Sequence, residues 1–443
     1  MSYILVLSFF LVILLIIGVF LSKYNETFSA YFFGKKDIGS LLIFFTITAS
    51  WIGASTTIAT IEKGISIGFN AIWMLGVPTF LTISIFILLN KKIRDSNFIS
   101  LPEFLKFYYG KKISFFASIL VLFYMIVLSA SQLVAWGKFI SEFINTNYTE
   151  TVLIGGLIII IYSFFGGYLS VIFTDGIQLI FISTAILYLF LYSNKSLTYM
   201  VADDFKLLEN FNFNILMVIS FTLAWIISPI IWQRIISART TKTSRRGLLM
   251  SLITFFILYV LIIFIAISLR QYGGESTNFG SIIKNYLPKF GSILVFIGIA
   301  SAIMSTADSA LNIGALTLSN DILHISSEKK KIFYAKFATV FCGILAVIIA
   351  MRFTSIIKTL GLASEIMAEG FFIPGMAALL FKTKKPLAGI LSLSLGGGFS
   401  TLVFLNEYGL SLPIPNWPYS LPYGLGLSLL GFIIGYFLDK KKI

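Results

Sequence analysis

Apolar runs of about twenty residues, each closed by a short polar or basic stretch, repeat along the whole of the 443-residue chain. Thirteen of them have roughly the length that a bilayer core demands of a helix. They cover residues 3–21, 39–61, 68–89, 115–141, 151–166, 170–193, 214–233, 247–270, 290–320, 332–351, 355–381, 386–405 and 420–438. The pattern therefore predicts an all-α integral membrane protein of about 13 transmembrane helices. The first run has no basic leader and no small-residue cleavage site, and Lys23 follows it. It reads as a retained anchor rather than a signal peptide. The longest loops run to about twenty residues, too short for a core of their own, so 1–443 is expected to be a single transmembrane domain.

Polar residues inside three of the runs break the pattern. Residues 299–321 carry Ser305, Thr306, Asp308, Ser309 and Asn312 within an apolar stretch. At about 100° per residue these fall, with Ala302, within an arc of roughly 160°. One face is thus oxygen-rich and small, with a carboxylate at its centre. Polar groups at membrane depth are costly and commonly line an ion or substrate path, and oxygen ligands suit a hard cation. The second run holds Thr46, Thr48, Ser50, Ser55, Thr56 and Thr57 around Gly53, and the seventh holds Ser228-Pro229. Proline removes a helix hydrogen bond, and a freed carbonyl at that depth needs protein or a cavity to satisfy it. Two interrupted helices five spans apart match inverted-repeat transporters, whose sites lie between the broken helices.

Composition narrows the function classes. The chain is 58% hydrophobic and 12% charged, outside the soluble range. Its net charge of +14 is no nucleic-acid stripe, because the basic residues cluster in alternate loops. These are Lys35/Lys36, Lys91 to Lys112, Arg234 to Arg246, Lys329 to Lys331, Lys382 to Lys385 and Lys440 to Lys442. That side is taken as cytoplasmic, with the N-terminus outside, the C-terminus inside and the proline-bearing loop 411–422 external. The single cysteine, Cys342, and single histidine, His324, leave too few parts for a disulfide framework, a zinc site or a histidine triad. Enzymatic chemistry is not supported.

TASWIGA (48–54), LPEFLKFYYG (101–110), FGGYLSVIFTDGIQ (165–178), WQRIISARTTKTSRRG (232–247) and ASAIMSTADSALN (300–312) follow one another in the order of known signatures. On these motifs the chain resembles the sodium:solute symporter family, whose members include sodium-coupled proline, sugar, iodide and choline carriers. The resemblance implies a LeuT-like core of two inverted five-helix repeats, here 39–193 and 214–381. An extra N-terminal helix in 1–38 and two C-terminal helices in 386–443 would flank that core.

It further implies a multi-pass cell-membrane symporter that imports a small organic solute with sodium by alternating access. The solute would be an amino acid, a choline-like amine, a carboxylate or a vitamin. The main sodium site would use the carbonyls of Ala49, Ile52 and Ala302 with the hydroxyls of Ser305 and Thr306. A second sodium would lie at Asp175, Asp308 and Ser309, although Asp175 could instead only pair with a basic loop. Where sugar carriers have polar side chains this chain has Trp51, Ser55 and Thr56, which disfavours a sugar. Trp51 resembles the choline branch, and aromatic faces attract quaternary ammonium groups. Trp73 and Trp225 could complete a cage, or the tryptophans could simply pack. Glu369, four residues after Glu365, could face an amine. A proton-coupled carrier on the same fold, kept open by Asp308, remains an alternative. So do a channel and a non-transporting membrane sensor; the chain ends four residues beyond Asp439, which speaks against an output domain. Partners are thus expected to be sodium, the solute and the lipid bilayer.

Overall fold

The computed structural model describes residues 3–22, 27–193, 200–273, 278–325 and 327–439; Lys23 and the basic tail at 440–442 lie outside them. Those residues form helices α1 (Tyr3–Ser22), α2 (Phe28–Phe33), α3 (Ser40–Trp51), α4 (Thr60–Ile67), α5 (Ile72–Ser96) and α6 (Leu101–Tyr109). There follow α7 (Lys111–Ile144), α8 (Tyr148–Phe165), α9 (Tyr168–Ser193), α10 (Phe211–Ile226), α11 (Pro229–Ser237) and α12 (Thr241–Gly273). The last six are α13 (Phe279–Tyr286), α14 (Lys289–Leu316), α15 (Glu328–Arg352), α16 (Ile356–Phe381), α17 (Pro386–Leu405) and α18 (Leu421–Leu438). Among the described residues eleven helices are long and apolar enough to cross a membrane, and the bent pair α10–α11 makes twelve.

The thirteenth expected span is not reached on that criterion. Run 39–61 divides at residues 52–54: its first half is the twelve-residue α3, and its second half runs on towards α5. A bilayer-length apolar run is evidently no guarantee of one continuous helix, because Gly53 and the surrounding hydroxyls offer the backbone other partners.

Both breaks have local causes. In α3 the amide of Ile52 still bonds the Thr48 carbonyl at 3.0 Å, but Ile52 turns to φ −82°, ψ 68° and ends the helix. The chain restarts in a wide turn over Ser55–Ala59. Hydroxyls then cover the released carbonyls: Thr56 Oγ1 donates to Trp51 O at 3.1 Å and Thr57 Oγ1 to Gly53 O at 3.1 Å. Between α10 and α11 the axis bends by 41° at Ser228-Pro229. There the indole of Trp232 donates to the Ile226 carbonyl at 2.9 Å, satisfying a group near the break.

The ends of the two broken helices are tied together. Ile38 and Ala238 form a short parallel bridge, with Ile38 N on Ser237 O at 3.2 Å and Arg239 N on Ile38 O at 3.0 Å. Arg94 of α5 donates to the Ile236 carbonyl in the last turn of α11 and to the Ala238 and Arg239 carbonyls just beyond it. The C-terminus of a helix favours such a cation. Central α14 is buried along most of its length and lies against α7, α9 and α3. Peripheral α1 instead exposes Ile4, Leu5, Phe9 and Ile16, as a lipid-facing helix does.

Candidate functional site

The polar face of α14 meets the break in α3. Ser305 Oγ donates to the Ala49 carbonyl at 2.9 Å and to the Ala302 carbonyl at 3.1 Å. Thr306 Oγ1 donates to the Ser50 carbonyl at 3.0 Å and reaches the Ala302 carbonyl at 3.4 Å. Gly53 lets the helices come this close: a Cβ there would lie 2.6 Å from Thr306 Oγ1 and 3.0 Å from Gln132 Oε1. Four of the five residues expected for the main sodium site, Ala49, Ala302, Ser305 and Thr306, are therefore gathered in one buried cluster of neutral oxygens. Ile52 stands at the break beside Gly53, and the Ser50 carbonyl joins the cluster without having been foreseen.

Gln132 of α7 was also missed. Its Oε1 accepts the Ala54 amide at 3.1 Å, securing a backbone donor that the break leaves without a helical partner. A glutamine inside the apolar run 115–141 was the available signal.

One turn further along α14 the chemistry changes. Arg234 of α11 was counted with a cytoplasmic loop, yet its side chain is fully buried. The restart of the helix at Pro229 carries it inward. Its guanidinium donates from Nε to Thr46 Oγ1 at 3.0 Å, and from Nη2 to Ser50 Oγ at 2.7 Å and Ser309 Oγ at 2.6 Å. Asp175 Oδ2 lies 3.7 Å from Nη2 and accepts from Thr46 Oγ1 at 2.5 Å. Asp175 and Ser309, expected to share a sodium with Asp308, thus stand around a guanidinium. Neither carboxylate oxygen of Asp308 meets hydrogen-bond geometry. That side chain lines a separate cavity with Tyr162, Ser163, Ser170 and Asn312.

A second cavity opens beside the neutral cluster. It is lined by Trp51, Ser55, Thr56, Trp225, Tyr124 and Gln132 among others, and by Thr306. Among the described residues, no charged side chain lines it. Trp51 stands edge-on to Trp225 at 5.3 Å and near Phe255 at 6.1 Å. Its indole Nε1 and Ser55 Oγ are buried without hydrogen-bond partners. A pocket that is mostly apolar with a few aimed polar atoms suits a small organic molecule.

Two expected pocket residues do not join it. Trp73 packs edge-on against Phe211 at 6.3 Å, on the α5–α10 side. Glu369 faces Gly424 of α18, where a side chain would collide with its carboxylate, and its neighbour Glu365 accepts from Ser420 Oγ at 2.9 Å. Spacing placed the two glutamates on one face of α16 but not which neighbour that face meets.

Comparison with known proteins decides the family. The model of the sodium:solute symporter family matches residues 31–384. The chain belongs to that family. It is accordingly a multi-pass membrane transporter of the sodium-coupled kind that carries a small solute, and not an enzyme.

Among similar proteins is the high-affinity choline transporter 1 of Drosophila melanogaster, 25% identical over 423 residues, 86% of this chain and 67% of that one. The human high affinity choline transporter 1 is 28% identical over 158 residues, 35% of this chain and 27% of that one. The sodium/proline symporter of Haemophilus influenzae is 26% identical over 37% of this chain and 34% of its own length. In fold the symporter is similar to a Na+-coupled sialic acid symporter in a substrate-bound outward-open state. That match has TM-score 0.80 and 20% identity, and covers 99% of this chain and 98% of the other. A nucleobase-cation-symport-1 family transporter in a closed conformation matches at TM-score 0.61 and 13% identity, over 95% and 96% of the two chains.

Proposed function

We propose that the symporter imports a small organic cation of the quaternary ammonium kind together with sodium. Sodium sits where Ser305 and Thr306 of α14 face the carbonyls of Ala49, Ser50 and Ile52. The observation that carries this reading is the pair of hydroxyl-to-carbonyl bonds at 2.9 and 3.0 Å that joins α14 to the break in α3. In place of those protons a hard cation would find the same neutral oxygens. Ion binding there would hold the two helices together and favour the conformation in which they meet, by its differential affinity for the two states.

The solute reading rests on the pocket. Trp51, Trp225 and Tyr124 give it aromatic walls, and among the described residues no arginine or lysine lines it to receive a carboxylate. A quaternary ammonium group gains from aromatic faces, and the choline carriers among the relatives agree with that chemistry. A second reading, a small zwitterion such as proline, draws on the bacterial relative. We place the basic loops in the cytoplasm and the protein in the cell membrane, with 39–193 and 214–381 as its two inverted repeats.

Uptake of labelled choline and labelled proline into proteoliposomes tests the proposal, with an inward sodium gradient, with no gradient and with a proton gradient alone. Choline accumulation that collapses with the sodium gradient is expected. Accumulation of proline alone selects the second reading, and accumulation driven by protons without sodium rejects sodium coupling.

A further inference from the structure

The loop between α17 and α18, stiffened by Pro413, Pro415 and Pro418, folds back over the first three turns of α16. Lys358 Nζ pairs with Glu407 Oε2 at 2.5 Å, and Glu407 Oε1 accepts the Trp417 amide at 3.3 Å. Ser420 Oγ donates to the Glu365 carboxylate at 2.9 Å. Between these two ties the Trp417 indole lies against Gly361. A Cβ there would fall 2.1 Å from Trp417 Cε2 and 2.4 Å from its Nε1. Lys358, Gly361 and Glu365 share one face of α16, since positions three and four apart on a helix are neighbours. The loop is also held at its base: Asn406 Nδ2 donates to Asn416 Oδ1 at 2.9 Å, and Asn406 Oδ1 accepts the Leu412 amide at 2.6 Å.

The indole is placed there for its shape. Its N–H is buried without a hydrogen-bond partner, so it makes no polar tie to α16. Glycine weakens a helix interior relative to alanine, and in membrane helices small residues recur where a neighbour must approach the backbone closely. Gly361 is the socket and Trp417 the plug. One residue away, Leu360 turns to another side of α16. There it lines the solute cavity with Trp51, Tyr124 and Gln132, and among the described residues it is what α16 contributes to that wall. Packed interiors transmit displacement rather than absorb it, so whatever holds Gly361 also holds Leu360.

We infer that Trp417 is a positioning residue for the solute: seated on Gly361, it fixes the first turns of α16 and keeps Leu360 against the pocket. Trp417 itself is not among the described residues that line the cavity. The inference rests on the reading of that cavity as the solute site, but on neither the identity of the solute nor the place of sodium. Removing the indole would leave a void beside Gly361 that the surroundings close only in part. The start of α16 would then be free to lean away, and the wall at Leu360 would retreat.

Two readouts test this, and one needs no solute. In a full-length Cys342→Ala/Leu360→Cys chain purified in detergent, Trp417→Ala should speed modification by a small cationic methanethiosulfonate reagent several-fold. Trp417→Phe should restore most of the slow rate. In proteoliposomes, with Cys342 and Leu360 intact, Trp417→Ala should raise the labelled choline or proline needed for half-maximal uptake several-fold. The maximal rate should change less, and sodium binding without solute should stay at the wild-type level. Gly361→Ala should act as Trp417→Ala does yet add little on top of it, because the collision needs both partners. An unchanged modification rate or an unchanged half-maximal solute concentration in Trp417→Ala overturns the inference, whatever happens to melting. So does an equal loss of sodium and solute affinity, which would make the loop a general brace. Should Trp417→Ala fail to fold, Glu407→Ala and Ser420→Ala release the loop at its two ties and are read in the same way. A wild type that accumulates neither choline nor proline rejects the proposed solutes, while the modification rates still decide the role of Trp417.

Discussion

Ser305 and Thr306 lie one turn before Ser309 on α14, and both groups face α3, yet they solve opposite problems. The first pair meets only carbonyls, so its cluster carries no net charge and no cation of its own. The second meets a guanidinium already bonded to Thr46 and Ser50 and beside the Asp175 carboxylate. A cluster of neutral oxygens can gain or lose a mobile ion without stranding a charge. A cluster that contains a carboxylate with its own arginine is fixed unless one partner leaves. The neutral cluster is therefore suited to reversible binding and the ion-paired one to holding α3, α9, α11 and α14 in register.

The largest expected effect breaks the ion-paired region. Arg234→Met leaves Asp175 buried without its partner, and removal of one member of a buried pair costs about 3–5 kcal/mol. Thermal melting of the purified protein should fall steeply. Asp175→Asn in the same chain should recover a large part of the loss, because the stranded charge is then gone. A double variant as unstable as Arg234→Met alone would mean that the two residues act independently.

The neutral region should respond differently. Ser305→Ala with Thr306→Ala removes two hydroxyls and almost no volume, and leaves no buried charge behind. Folding should survive, while the sodium needed for half-maximal uptake rises. A coupling of about 1–3 kcal/mol corresponds to roughly a 5- to 150-fold change in affinity. Unchanged sodium dependence would remove both hydroxyls from the ion site.

Residue pattern alone revealed much of this contrast and hid a specific part of it. The oxygen face of α14 was legible because helical periodicity fixes which side chains share a side. The two breaks were legible because Gly53 and Pro229 have known backbone consequences. Arg234 was not. A basic residue near the end of an apolar run looks like a positive-inside signal, and only the nine-residue α11, restarted at Pro229, shows it turned into the core. Asp175 was read either as a sodium ligand or as the partner of a basic loop, and sequence alone did not choose, since the identity of that partner depends on a helix 59 residues away in sequence. Glu369 failed for the converse reason. Its spacing from Glu365 gave a shared face, while Gly424 and Ser420 on α18, which receive that face, lie more than fifty residues on.

A smaller effect sharpens the reading of the solute pocket beside the neutral cluster. Trp51→Ala should weaken binding of a quaternary ammonium solute by about 0.5–2 kcal/mol, the range for a cation over an aromatic face. Sodium binding measured without solute should change little, because the oxygens nearest the ion are backbone carbonyls and hydroxyls. Equal losses of both would make Trp51 a packing residue that holds the break in α3.

The smallest expected effect tests where that pocket ends. Trp73 packs edge-on against Phe211, and its indole N–H is buried without a partner. Trp73→Phe keeps an aromatic ring for that contact and removes a donor that nothing satisfies, so the two consequences oppose each other. Stability should stay within about 0.5 kcal/mol of the wild type, as for substitutions away from any special feature. The solute concentration for half-maximal uptake should not move, since Trp73 does not line the cavity that Trp51 and Trp225 share. A several-fold loss of solute affinity with melting unchanged would bring Trp73 into the site. It would also mean that the pocket extends between α5 and α10, with a third aromatic wall for the ammonium group.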